Sequence, residues 1–270
     1  MKVFKESDLG KLTLEPGKQV IIIGGSNLFH GAPLLSLKVA SRIVSLVFFA
    51  SPVKSHRDVA AHLKSELSSF IWIPWREVGD YIEKSDAVLI GPGFMRAKSE
   101  KNLSKKECDE AGRSTRETTE NLLKNFPNRK WVIDAGSLQL MNPNWIPKGA
   151  ILTPSKREYE MLFGDADPQE IAEKYNCTIL LKGKYDVICS PTKSIKVEGG
   201  NWGMRKGGMG DVLAGLVVGL LASNGRFISA SSASYLAKRA GEELFKKNGS
   251  YYNADDLASE LGLFLPRIMR

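Results

Sequence analysis

Short apolar runs, several ending in glycine or an acid, alternate along this chain with segments of helical spacing. That alternation limits the fold more than any other feature. Gln19–Gly25 (QVIIIGG), Ile43–Ala50, Phe70–Ile73, Ala87–Gly91 (AVLIG), Lys130–Asp134 (KWVID), Ala150–Thr153, Cys177–Lys182 (CTILLK), Val187–Ser190 and Ser194–Val197 read as buried strands. Between and after them, helices are expected over Pro33–Arg42, 55–68, Trp75–Lys84, Ser114–Phe126, Lys156–Phe163, 228–248 and 254–265. A further helix opens at Pro168, whose missing N–H suits a first-turn position. Ser114 and Glu117 have the spacing of a capping box. Residues 1–18 read as a polar lead-in. Strands that alternate with helices predict βαβ units, a largely parallel sheet and helices on both faces. No repeat, low-complexity tract or linker interrupts the pattern, so residues 1–270 are expected to form one domain.

One stretch departs from simple alternation. Asn201–Gly215 reads NWGMRKGGMGDVLAG, with Gly207, Gly208 and Gly210 crowded ahead of Asp211. The apolar run Val212–Ala222 follows, enough for about three helical turns. A glycine turn opening a helix presents unpaired N–H groups, and the helix dipole adds positive potential there. Together they suit a phosphate. Glycine keeps side chains out of the anion's path. Asp211, in the first turn, is aimed at whatever the phosphates present. A carboxylate so placed is expected to stay ionised and to be a weak base.

Ligands of open α/β sheets bind beyond the carboxyl ends of the strands. Gly24-Gly25-Ser26 with Gly31-Ala32-Pro33, Gly91-Pro92-Gly93, Asp134, Thr153–Glu158 and Lys182-Gly183-Lys184-Tyr185-Asp186 all fall at such ends. Taken singly, each is a turn. Together they place glycines, a lysine and acids on one rim beside the glycine loop. The charged segment 96–112 is a solvated excursion or a basic flap over phosphates.

The net charge of +8 is spread along the chain and favours anionic ligands only weakly. Aromatic and basic residues are not interleaved as in single-strand binders, so no nucleic-acid partner is expected. Cys108, Cys177 and Cys189 form no CxxC pair, and His30, His56 and His62 lack zinc spacing. Reduced thiols, a charged N-terminus without a signal sequence and no apolar run of membrane length lead us to expect a cytoplasmic protein without a membrane partner.

The string Asn201–Gly215 resembles N-x-G-M-x-x-G-G-(T/S)-G-D-V-L-A-G of the nucleotide-dependent NAD(P)H-hydrate dehydratases, a branch of the ribokinase-like superfamily. Met209 is the sole departure in that string. The resemblance runs from about Val20 to about Gly225. It implies a ribokinase-like three-layer α/β/α sandwich with a mostly parallel central sheet. It implies that Ala32, Gly93, Ser155 and Asp211 face the substrate. It assigns Lys182, Gly183, Lys184, Tyr185, Asp186, Gly207, Gly208, Met209 and Gly210 to the nucleotide. It makes Asp211 the catalytic residue. Other loops depart further from the family: Phe94-Met95 after Gly93, Ser155 for histidine, Arg157 for glycine before Glu158, Gly136-Ser137-Leu138-Gln139 after Asp134-Ala135, and Asp186 for threonine. Ser155 is too short to replace an imidazole, so Lys156, Arg157 or Gln139 is expected to compensate, and Ser155→Ala to have little effect.

The implied reaction is repair of hydrated NADH or NADPH, with ADP or ATP as phosphoryl donor and Mg2+ bridging the phosphates. No motif identifies the metal ligands. The resemblance also implies a homo-oligomer. Two other readings fit the loop. One is a ribokinase-like kinase that releases a phosphorylated small molecule. The other is a nucleotide- or nucleic-acid-binding protein without turnover.

Overall fold

The computed structural model describes residues 1–53, 57, 58, 61, 69–96 and 110–268. The helix expected over 55–68 and most of the charged segment 96–112 lie outside the described residues. Ten strands form one sheet: β1 (Lys2–Val3), β2 (Gln19–Ile23), β3 (Leu46–Ala50), β4 (Ile71–Trp72), β5 (Ala87–Ile90), β6 (Trp131–Ile133), β7 (Ile151–Leu152), β8 (Thr178–Leu181), β9 (Asp186–Ser190) and β10 (Lys193–Val197). Their order is β1-β10-β9-β8-β7-β6-β5-β2-β3-β4. All pairings are parallel except those of β9, which runs antiparallel to β8 and β10. The connection from β8 to β9 is too short for a parallel crossover, so the chain must turn back.

Named helices are α1 (Gly31–Ala40), α2 (Val78–Lys84), α3 (Glu110–Asn125), α4 (Ala135–Leu140), α5 (Lys156–Phe163), α6 (Pro168–Tyr175), α7 (Met209–Ser223), α8 (Arg226–Asn248) and α9 (Ala254–Ile268). The strands are apolar throughout because both sheet faces are covered. Alternate residues divide between two cores. Val20, Ile22, Phe49, Leu89, Val132, Ile151 and Leu180 pack with α1, α7, α8 and α9. Ile21, Ile23, Phe48, Ile90, Ile133, Leu152 and Ile179 pack with α2 to α6. The run Val212–Ala222 is buried all round, which explains why it is apolar without a polar stripe.

Two expectations need correction. Residues 1–18 are not merely a lead-in: Lys2–Val3 pairs with β10, and Phe4 and Leu9 are buried in the first core. Ser114 does not cap a helix, because α3 already begins at Glu110. The helix at Pro168 starts where expected, with Asp167 accepting from the backbone N–H groups of Gln169 and Glu170. No helix among the described residues is long and apolar enough to cross a membrane.

Candidate active site

The parallel strands carry their following loops to one edge of the sheet, where the loops interlock. The Gly25 N–H donates to the Pro92 carbonyl at 2.8 Å. Gly93 has φ +74°, and a Cβ there would lie 2.7 Å from the Phe29 carbonyl oxygen, so only glycine fits. Two of the departures from the family pattern touch each other. A Cβ on Gly136 would lie 2.6 Å from the Phe94 carbonyl oxygen and 2.8 Å from its Cβ. Phe94 is buried, and the small residue at 136 makes room for it.

Beyond β6, β7 and β8 stands a cluster of three acids and one lysine. The Lys182 ammonium donates to Asp134 Oδ1 at 3.0 Å, and the Thr153 hydroxyl donates to the same oxygen at 2.9 Å. Asp134 is 2% exposed and the Lys182 side chain 21%. Backbone pairing brings the partners together: Ser155 and Lys182 form a one-step parallel bridge that continues β7–β8. Glu158 closes a capping box on α5. Its Oε2 accepts from the Ser155 N–H and hydroxyl, both at 2.8 Å, and Ser155 Oγ accepts from the Glu158 N–H. Gln139 donates to Glu158 Oε1 at 3.0 Å. Ser155 is thus occupied by Glu158, and Gln139, one of the expected compensators, positions the same carboxylate. Lys156 pairs instead with Glu160 at 3.6 Å, and Arg157 is exposed.

Asp211 enters this cluster from the first turn of α7, where the Ser36 hydroxyl donates to its carbonyl at 2.7 Å. Burial, together with the nearby Asp134 and Glu158 charges, pushes its carboxyl up to about 7 against the pull of Lys182. This corrects the expectation of a weak, fully ionised base. The helix terminus is outweighed because burial first, and then the charges of two other carboxylates, oppose ionisation. Burial also raises Asp134, more than Lys182 and Thr153 lower it. Burial would lower Lys182, but Asp134, Glu158 and Asp211 more than offset it and hold the ammonium above its ordinary value. Glu158 is also desolvated, yet Lys182 and the bonds from Ser155 and Gln139 hold it below the usual carboxylate range.

The glycine loop adjoins the cluster. Gly208, at φ +89°, is the N-cap of α7, and a Cβ on Gly210 would lie 3.2 Å from Lys182 Nζ. The loop is anchored from a part of the chain that no motif marks. Lys206 donates to the carbonyls of Ser250 and Tyr252, each at 2.6 Å. The Tyr252 hydroxyl donates to Asn201 Oδ1 at 2.7 Å, and that oxygen also accepts from the Gly203 N–H at 2.9 Å.

A cleft of about 640 Å³ extends from this point. It brings together Ser155, Lys182, Gly183, Lys184, Asp186, Met209 and Gly210 of the expected site residues, and adds Asn201, Trp202, Ser234 and Lys238. Asp186 is buried, accepting from the Gly183 N–H at 2.9 Å and the Ser234 hydroxyl at 2.7 Å, and pairing with Lys238 at 3.3 Å. The signal for Lys238 lies in its helix: a cation amid Ser231, Ser232, Ala233, Ser234 and Ala237 on a buried stretch needs a partner. Tyr185 lies instead under the Lys196 ammonium, 3.9 Å from the ring centroid. Gly207 is exposed at the loop's tip. Ala32, in the first turn of α1, and Gly93 belong to the β2 and β5 loops. A second cleft of about 810 Å³ opens beside those loops, between Gly25–Leu28, Phe94–Met95 and the start of α3. Among the described residues, no group of three or more His, Cys, Asp or Glu could by itself hold a metal ion.

The fold is that of ribokinase-like proteins. A ribokinase-like protein of Enterococcus faecalis superposes with a TM-score of 0.80 at 22% identity, covering 99% of this chain and 96% of the other. The ADP/ATP-dependent NAD(P)H-hydrate dehydratase of Bacillus subtilis, co-crystallised with ATP/Mg2+ and soaked with CoA, superposes with a TM-score of 0.78 at 19% identity, covering 99% and 98%. In sequence, the chain is 33% identical to the bifunctional NAD(P)H-hydrate repair enzyme of Methanocaldococcus jannaschii, over 97% of this chain and 50% of that protein. The chain thus spans about half the length of the first curated relatives it matches. The ADP-dependent (S)-NAD(P)H-hydrate dehydratase of Nitrosopumilus maritimus is 30% identical over 90% of this chain and 86% of its own length. The sequence model of the NAD(P)H-hydrate dehydratase family matches residues 20–262, from β2 into α9 and across every loop of the site. On that match and those relatives, the chain belongs to the NAD(P)H-hydrate dehydratase family.

Proposed function

We propose that this protein removes water from hydrated NADH or NADPH, using ADP or ATP as phosphoryl donor. The observation that carries the reading is Asp211: a carboxyl with its pKa near neutrality, opening the helix whose N-terminus forms the glycine loop. Its ionised form accepts the proton of the ring hydroxyl as that oxygen bonds to the terminal phosphorus of the nucleotide. The P–O bond to the departing AMP or ADP breaks in the same step. Lys182 and the N–H groups around Gly208 to Gly210 stabilise the charge of the moving phosphoryl group. Phosphate then leaves the ring carbon with its bonding electrons, a neighbouring C–H gives up its proton to water, and the double bond of the dihydronicotinamide is restored. The 640 Å³ cleft takes the nucleotide, the hydrated ring sits at Asp211, and the 810 Å³ cleft, which Asp211 does not line, takes the remote part of the dinucleotide. In the second cleft, the packing of Phe94 on Gly136 reshapes the wall.

Magnesium commonly binds one or two carboxylates plus substrate phosphates. Asp134 would hold it with the nucleotide phosphates, where it would spread phosphate charge. We propose further that the chain acts as one catalytic domain in the cytoplasm, on small molecules and not nucleic acid, as a homo-oligomer like that implied by the family resemblance.

The test is incubation of the purified chain with hydrated NADH or NADPH, magnesium and either ADP or ATP. Recovery of dihydronicotinamide absorbance is expected, at the expense of one nucleotide phosphoryl group per turnover. Nucleotide consumption that yields a stable phosphate ester would make the protein a kinase. No recovery and no consumption with either nucleotide would refute the proposal.

A further inference from the structure

We propose that Trp202 is the platform on which the base of the nucleotide stacks. The inference rests on the reading above that an adenine nucleotide occupies the 640 Å³ cleft. The lining of that cleft is chemically mixed, with Lys184, Asp186, Arg205 and Lys238 among its charged members. Lys182, Gly183 and Gly210 lie beside the helix N-terminus and suit phosphates. Trp202, Met204 and Ala237 are among the residues of the remainder and offer apolar surface. A ligand with an anionic tail and a flat, weakly polar head matches both, and the head is a nucleobase.

The indole is built to receive one. Trp202 opens a 3-10 turn, Trp202–Arg205, and Asn201 fixes that turn. Asn201 accepts from the Gly203 N–H and the Tyr252 hydroxyl, and its Nδ2 donates to the Gly241 carbonyl at 2.8 Å. The turn is therefore tied to α8 and to the residues before α9. An edge contact with Phe245, 6.5 Å between ring centroids at 69°, orients the indole without covering it. Trp202 remains 64% exposed, although Trp131, the same side chain in the core, is fully buried. So large an apolar surface left open at the edge of a ligand cleft gains most when a ring covers it.

Trp202→Ala and Trp202→Phe in the full chain test the proposal, with calorimetric titration by magnesium ADP. Loss of base stacking raises the dissociation constant about 5- to 150-fold in Trp202→Ala. Trp202→Phe, which keeps a ring, retains most of the affinity. Inorganic pyrophosphate, which has no base, binds wild type and Trp202→Ala with the same dissociation constant. ADP changes the tryptophan fluorescence of wild type, and that change disappears in Trp202→Phe, which keeps the other four tryptophans. Unchanged ADP affinity in a folded Trp202→Ala overturns the proposal, as does an equal loss for pyrophosphate. A shift in oligomeric state with ADP affinity intact assigns the indole to a protein interface and also overturns it. Wild-type protein that binds neither ADP nor ATP refutes the nucleotide reading itself. ADP affinity that falls in Gly207→Val but not in Trp202→Ala keeps that reading and rejects the stack.

Discussion

Replacing Asp211 by asparagine should remove activity and, above neutral pH, stabilise the fold. The carboxyl has a pKa of 3.8 when unperturbed and about 7 in the folded chain. Because the folded value is raised, the native state is at no disadvantage below pH ~4, where the group is protonated in both states. Stability is then lost progressively as pH rises toward about 7, and the loss is complete above it. A shift of that size corresponds to about 4 kcal/mol at high pH. Asparagine has nearly the same shape and carries no charge. The stability difference between Asp211→Asn and wild type should therefore grow by about 2–3 kcal/mol between pH 5 and pH 8.5. Urea denaturation of both proteins at the two pH values measures it. Dehydratase turnover should fall on the order of 10²–10⁴-fold, the usual cost of losing a general base. In wild type, kcat/KM should rise with pH through an apparent pKa near 7. A stability difference that does not change with pH would refute the electrostatic account of the cluster. Near-normal turnover would remove Asp211 from the mechanism.

Other substitutions probe the remaining parts of the site. Gly207 has no neighbour within 4 Å of a Cβ, so Gly207→Val should fold normally yet lose at least about tenfold in ADP affinity, or about 1.4 kcal/mol; unchanged affinity would place the phosphates elsewhere. Gly208→Val should lose affinity and stability together, since its Cβ would lie 2.6 Å from Leu35 Cδ1 at φ +89°, and thermal unfolding separates it from Gly207→Val. Ser155→Ala breaks the capping box and should cost about 1 kcal/mol in denaturant unfolding; an unchanged unfolding midpoint would mean that the box adds nothing to stability. Lys182→Met leaves three acids without their cation, so it should cost on the order of 3 kcal/mol at pH 8 and less at pH 5, where more of the acid charge is neutralised.

The layered α/β/α fold and most element positions were legible in the sequence, because both sheet faces are buried. Strands covered on both sides must be apolar throughout, and such runs stand out between amphipathic helices. The glycine loop was legible for a related reason: Gly208 opens α7 at φ +89°, a conformation that favours glycine, and local needs leave local patterns. Lys2–Val3 was missed because a two-residue edge strand is defined by its partner β10 and not by its own composition.

The chemistry of the site was decided by tertiary structure. Asp134, Glu158, Lys182 and Asp211 are scattered over 78 positions, and only the ends of β6, β7 and β8 and the start of α7 bring them together. The first-turn position of Asp211 suggested an ionised carboxylate. Its neighbours push it toward neutrality, because desolvation and shared charge depend on what is near in space. The same holds for Lys206 and Tyr252, whose bonds fix the glycine loop across more than forty residues. Sequence specifies what each segment buries or exposes. The strength of an acid depends on the dielectric and the charges around it, and the packed fold alone sets those.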